Sequence, residues 1–205
     1  MEMCGLVEAA IHHSVVALVQ SDEREAQQVL ENEARINQMQ IEIDDKATRL
    51  LALEQPVARD LRFIVAAMKI NSDLERMGDL AKNIAERACG LIHEPFAKAR
   101  VDIPRMADLV QSMVHKALDS FVTRNEDVAR EVLVSDDTVD DMRDVVYNEL
   151  VSDLPRDPEH ANQYVSLIFV AQDLERIADH ATNIAEDALY LAKGIDVRHQ
   201  PQISD

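Results

Sequence analysis

The chain has 205 residues and a formal charge of −18, an acid surplus that argues against a phosphate-backbone partner, because nucleic-acid binding needs clustered Lys and Arg to release counterions. Four glycines, six prolines and 3% aromatics beside abundant Ala, Leu, Glu, Arg and Met argue against a sheet-rich fold and point to helix. An apolar content of 47% suffices for a buried core, in one domain or two small ones.

Residues 1–20 carry Leu6, Ala10, His13 and Ala17 at helical spacing, so the chain opens inside its first helix. Ser21 and Asp22, followed by Glu23 and Glu25, read as an N-cap with acids in the first turn, and a second helix continues to about Leu53. Pro56 breaks it. The run Gln55-Pro56-Val57-Ala58-Arg59-Asp60-Leu61-Arg62 suits the start of a third helix with proline in its first turn, ending near Cys89 with Gly90 as its cap. Gly90, Pro95 and Pro104 mark Leu91 to Ile103 as a linker between halves. Beyond it the plan recurs: Arg105 to Val122, a cap and acidic first turn at Asn125-Glu126-Asp127, a long helix to about Asp153, a break at Pro155 and Pro158, and a last helix to about Lys193 before Gly194.

Cys4 and Cys89 form no spacing motif, and two cysteines in a chain this long suggest reduced thiols in a cytoplasm. The apolar runs Phe63 to Met68 and Val165 to Ala171 are far shorter than a membrane span. No cationic leader precedes the first helix, so no signal peptide is expected. Together these features predict a soluble, cytoplasmic protein.

The chain repeats itself. Asp73 to Glu86 and Asp173 to Glu186 are identical at ten of fourteen positions, and the caps at Asp22 and Asn125 stand 103 residues apart, as do Val29-Leu30 and Val132-Leu133. The change of offset from 103 to 100 places a three-residue deletion at the inner turn of the second half. The fold expected is all-α: two tandem, sequence-related three-helix bundles, six helices in all, each up-down-up because its turns are short. Residues 1–93 form the first unit, 104–194 the second, and 195–205 a frayed tail. Helices of about 30 residues run about 45 Å, so an elongated molecule is expected.

On a helix wheel, Glu75, Asp79, Asn83 and Glu86 fall at about 0°, 40°, 80° and 20°, opposite Leu74, Met77, Ala81 and Ile84. Glu175, Asp179, Asn183 and Glu186 repeat the stripe with Leu174, Ile177, Ala181 and Ile184 behind it. Both stripes are therefore expected to face water. Carboxylates four apart on a helix can share a hard cation. The 103-residue offset also aligns Glu33-Ala34-Arg35-Ile36-Asn37 with Asp136-Asp137-Thr138-Val139-Asp140, and antiparallel packing of the second and third helices of each unit would bring these pairs to the stripes. For any single Glu-x-x-x-Asp the ordinary reading is a solvated face; repetition favours a site, although duplication alone preserves a pattern. Arg76 and Arg176 read first as partners of neighbouring acids in weak surface pairs, and otherwise as residues that help hold a partner. Gly78 admits a close helix approach, and Ala178 in its place shows that a small residue serves. His180, His12 and His13 read as half-buried packing residues.

No catalytic constellation is present: no glycine-rich phosphate loop, no nucleophile elbow, no Cys pair with zinc spacing. The chain is not expected to be an enzyme. A di-iron carboxylate bundle, as enzyme or metal store, would need Glu-x-x-His on two helices pointing inward, and no such tetrad exists; a metal-free helical scaffold is the other alternative.

In the two stripe helices, the run from Gln55 to Arg62, and Leu189-Tyr190-Leu191-Ala192-Lys193-Gly194, the chain resembles the PhoU family of phosphate-transport regulators over nearly its whole length. The resemblance implies a cytoplasmic homodimer. It implies an adaptor that couples the phosphate ABC transporter, through its ATPase subunit, to a sensor histidine kinase and represses the phosphate-starvation response when phosphate is plentiful. Membrane association would come only through those partners. It also implies metal ions on the stripes, iron or zinc first and magnesium or manganese behind them, held by Glu75, Asp79, Glu175 and Asp179, with Asp136 and Asp140 from the neighbouring helix. Glu33 fits that pattern and Asn37 departs from it, so the first-half site is expected to bind more weakly.

Overall fold

In the computed structural model the described residues are 1–91 and 101–193. They form α1 (Glu2–Gln20), α2 (Glu23–Glu54), α3 (Ala58–Leu91), α4 (Ile103–Thr123), α5 (Glu126–Asp153) and α6 (Ala161–Lys193), with a single 3-10 turn at Pro158–His160. No strand occurs among them. Helices α1, α2 and α3 pack as one bundle, α4, α5 and α6 as another, and α3 lies along α6 to join them. Residues 92–100 of the expected linker, and the tail, lie outside the described residues.

The turns follow from local chemistry. Asp22 caps α2 by accepting from the Arg24 N–H at 2.9 Å, and Asn125 caps α5 by accepting from Asp127 and Val128 at 3.0 and 3.4 Å, which satisfies N–H groups that have no partner inside the helix. The residue before each cap, Ser21 and Arg124, takes a left-handed conformation, φ 53° and 56°. These two matched turns are built alike. The inner turns are not. Gln55 and Ala58 both sit at positive φ, 44° and 47°, so α3 begins after Pro56 rather than with it. In the second half α5 has 28 residues against 32 in α2; the deletion removed about one helical turn. Gly90, expected as a cap, lies inside α3.

Each core is aliphatic and rich in alanine. Met77, Ala81, Ile84 and Ala85 of α3 are buried, and so are Ile177, Ala181, Ile184 and Ala185 of α6; the alanines bring the helix axes close. Gly78 has a defined partner: a Cβ there would stand 3.2 Å from both Cδ1 and Cγ2 of Ile36. At the matching positions of the second half a smaller Val139 is buried, and so is Ala178. The glycine is thus explained by the extra methylene of Ile36, a volume trade across the α2–α3 contact.

Helix α1 is long and apolar enough to cross a membrane, with a mean hydropathy of 1.3, a property that a search for uninterrupted apolar runs overlooks. Met3, Val7, Ala10, Ile11 and Leu18 are buried in the bundle, so its apolar character is that of a core helix.

Helices α3 and α6 run antiparallel across the joint between the halves, low numbers of one meeting high numbers of the other. Lys69 pairs with Asp187 at 3.0 Å, Asp73 with His180 at 2.8 Å, and Asn183 donates to Asp73 at 3.5 Å. At the far end Arg87 stands 3.6 Å from Asp173 and 4.5 Å over the Phe169 ring. His180 is therefore more than packing. His12 is exposed, not half-buried as expected, and contacts Gln111 of α4 at 3.2 Å; His13 is half-buried as expected and also pairs with Glu25.

A candidate cation site on paired acidic helices

The acidic stripes face open water only in part: Glu86, Asp179 and Asn183 are exposed, whereas Glu75, Asp79 and Glu175 are half-buried. Helix α3 packs on α1, α2 and α6, so little of its circumference is free, and the stripe falls in the groove between α2 and solvent. The Glu75 side chain is 17% exposed and its counterpart Glu175 19%. Asp79 is half-buried and Asp179 exposed. Burial first, and Asp79 next, push the Glu75 carboxyl above the usual range, with Glu33 adding to the effect from α2. Burial removes water from the charged form, and neighbouring carboxylates repel it.

In the second half the crowding is greater. Asp136 is pushed from 3.8 to about 6 by burial first, then by Asp179, Asp140 and Asp137. Glu175 is raised by burial and then by Asp179, against the pull of Arg143. Asp179 is raised by burial and then by Asp140. Asp136 and Asp140 of α5 thus stand within electrostatic reach of Glu175 and Asp179 of α6. Arg143 reaches into the cluster, its guanidinium divided between Asp140 at 3.5 Å, Asp144 at 3.4 Å and Glu175 at 3.9 Å, and His180 and Arg176 also pull on Asp179.

The first half is arranged otherwise. Lys82 Nζ lies 3.4 Å from Glu33 Oε1, and Asn37 donates to that same oxygen at 2.8 Å. Asn37 Oδ1 is buried without a hydrogen-bond partner. Arg76 lies 3.6 Å from Glu75 with 63% of its side chain exposed, a weak surface pair. The far ends of the stripes belong to neither cluster: Glu86 is exposed, and Asn183 turns to Asp73 across the joint.

Among the described residues, no three His, Cys, Asp or Glu side chains converge as placed on a point that a metal ion could share. By donor chemistry the halves differ. Four carboxylates, three of them raised by burial first and by one another next, are a hard-oxygen set that fits a divalent or trivalent cation once the side chains turn towards it. In the first half Glu33 is engaged twice and Asn37 offers one neutral oxygen, a set that does not fit.

A family model described as the PhoU domain matches residues 1–88 and again 103–188. The chain is 42% identical over 200 residues to the phosphate-specific transport system accessory protein PhoU homolog of Pseudomonas putida, spanning 97% of this chain and 78% of that one. It is 42% identical to the protein of the same name in Pseudomonas aeruginosa, spanning 97% and 83%. Among solved structures it is similar to PhoU from Pseudomonas aeruginosa, TM-score 0.92 at 40% identity over 95% of this chain and 93% of the other. The phosphate transport system regulatory protein PhoU from Streptococcus pneumoniae matches with TM-score 0.87 at 30% identity over 96% and 92%. With the domain found twice, the relatives matched along nearly the whole chain and the two-bundle fold shared, the chain belongs to the PhoU family.

Proposed function

We propose that this chain is a regulator of phosphate homeostasis: a non-enzymatic adaptor that works as a homodimer in the cytoplasm, couples the ATPase subunit of a phosphate ABC transporter to a sensor histidine kinase, and represses the starvation response when phosphate is plentiful. What supports the reading most is the doubled domain, matched along nearly full length to relatives named as accessory proteins of phosphate-specific transport. An acidic surface at net −18 suits basic patches on partners, where complementary potential sets specificity and encounter rate.

The proposal includes a cation on the second half. Asp136, Asp140, Glu175 and Asp179 would hold it, with iron or zinc preferred and magnesium or manganese behind them. When bound, the cation supplies positive charge against a cluster whose members repel one another. Asp136 and Asp140 present their oxygens from α5, Glu175 and Asp179 theirs from α6, so the load would tie those two helices together.

Two experiments test the reading. Deleting the gene and following phosphatase output in phosphate-rich medium should give derepression; continued repression sinks the adaptor. Elemental analysis of protein purified without chelators or a metal-carrying tag should find less metal in Glu175→Ala with Asp179→Ala than in wild type, and unchanged content ends the metal part.

A further inference from the structure

The two acid clusters descend from one repeated unit, yet they differ: Asn37 stands against Asp140, Lys82 against Thr182, Glu33 against Asp136 and Gln40 against Arg143. We infer that Lys82 is a tethered cation that takes, in the first half, the place of the metal proposed for the second, so that the chain loads metal in the second half alone. This rests on the metal part of the proposed function.

At about 100° per residue Lys82 lies about −20° from Glu75, on the same stripe as Glu75 and Asp79. Its ammonium reaches across to α2 and stands 3.4 Å from Glu33, the acid pair's first member. Its side chain is 35% exposed and that of Glu33 22%, so the pair sits in the groove rather than waving in solvent. The pair's second member is the amide of Asn37, which spends its donor on Glu33. An incoming cation would have to displace an ammonium, strip Glu33 of two contacts and accept a neutral oxygen where the second half offers Asp140.

Thr182 holds the matching place in the second half. Its hydroxyl, which carries no charge, donates to the Asp179 carbonyl of its own helix at 2.7 Å. Arg143 is not an equivalent stopper, because its guanidinium is spread over three carboxylates at 3.4 to 3.9 Å.

The test counts ions by native mass spectrometry on tag-free protein titrated with Zn(II) and, anaerobically, Fe(II), with circular dichroism as a check of folding. Wild type should hold one load, lost in Glu175→Ala/Asp179→Ala and kept in Glu75→Ala/Asp79→Ala. Asn37→Asp, with Lys82 in place, should still hold one. Asn37→Asp with Lys82→Thr should hold a second, bound at least tenfold more tightly than anything on the first half of wild type. A second load on wild type or on Asn37→Asp alone overturns this inference and leaves the metal reading intact; so does a double variant that stays at one. No load on wild type overturns both. In chelator, Lys82→Thr alone should lower the thermal midpoint, since Glu33, Glu75 and Asp79 then face one another without the ammonium; an unchanged midpoint also counts against Lys82 as their counter-charge.

Discussion

The two halves solve one electrostatic problem in two ways. Between α2 and α3 the crowded acids meet Lys82, held at Glu33; between α5 and α6 Arg143 pairs with Asp140 and Glu175 of the four carboxylates, and Asp136 is pushed up to about 6. Both grooves inherit one layout, so the difference lies in side chains and not in the backbone. Duplication fixed where the oxygens stand, and later substitutions decided how their charge is met.

The largest expected effect tests whether the halves are one cooperative body. Ile84 and Ile184 are both fully buried, and truncating either to alanine should cost about 3 kcal/mol. If the α3–α6 joint couples the bundles, each variant shifts the whole urea transition; a separate early transition for Ile184→Ala or Ile84→Ala would break that picture.

Next is the packing trade at Gly78. Alanine there gains about 1 kcal/mol of helix propensity and loses about as much or more against Ile36. In an Ile36→Val background, which copies Val139 and Ala178, the clash disappears. A double-mutant cycle should therefore show a favourable coupling of about 1 kcal/mol, and zero coupling would remove the explanation of the glycine.

The third prediction is a difference of sign between the grooves. The folded Asp136 carboxyl titrates near 6 against 3.8 for the free group, so its protonated form favours the fold. Its contribution is fully present below about pH 4 and is lost as pH rises through about 6. Discounted for solvent screening, the loss is about 1 kcal/mol. Asp136→Asn should therefore raise the urea midpoint at pH 7 in chelator and flatten the profile between pH 4 and 7. Glu33→Gln should instead lower it by about 0.5 kcal/mol, because Lys82 loses its partner. Equal signs would contradict the contrast. The smallest effect is at Arg76: its alanine variant should stay within about 0.5 kcal/mol of wild type by the same measurement.

What the sequence displayed well was local or periodic. The caps at Asp22 and Asn125 need only a side chain and two backbone N–H groups within reach, and the repeat is visible as self-similarity. The stripe positions were legible as well. Their burial was not, because a helix wheel supposes one packed face, whereas α3 has three neighbours and leaves Glu75 at 17% exposure. The Asp73–His180 and Lys69–Asp187 pairs carry no sequence signal, since they bridge residues more than 100 positions apart with no shared period. Lys82 was in plain view as one of four mismatches in the repeat, and its meaning needed the position of Glu33 on α2. Gly90 misled because a glycine after a periodic run marks a cap only where the chain turns, and α3 continues to Leu91.

The fit of Gly78 to Ile36 has an evolutionary corollary. Each half has drifted in paired steps, glycine with isoleucine on one side and alanine with valine on the other, so the copies are no longer interchangeable parts. Grafting α2 in place of α5 would press the larger side chain of Ile36 against the methyl of Ala178, and recombination between the repeats would be selected against by packing alone.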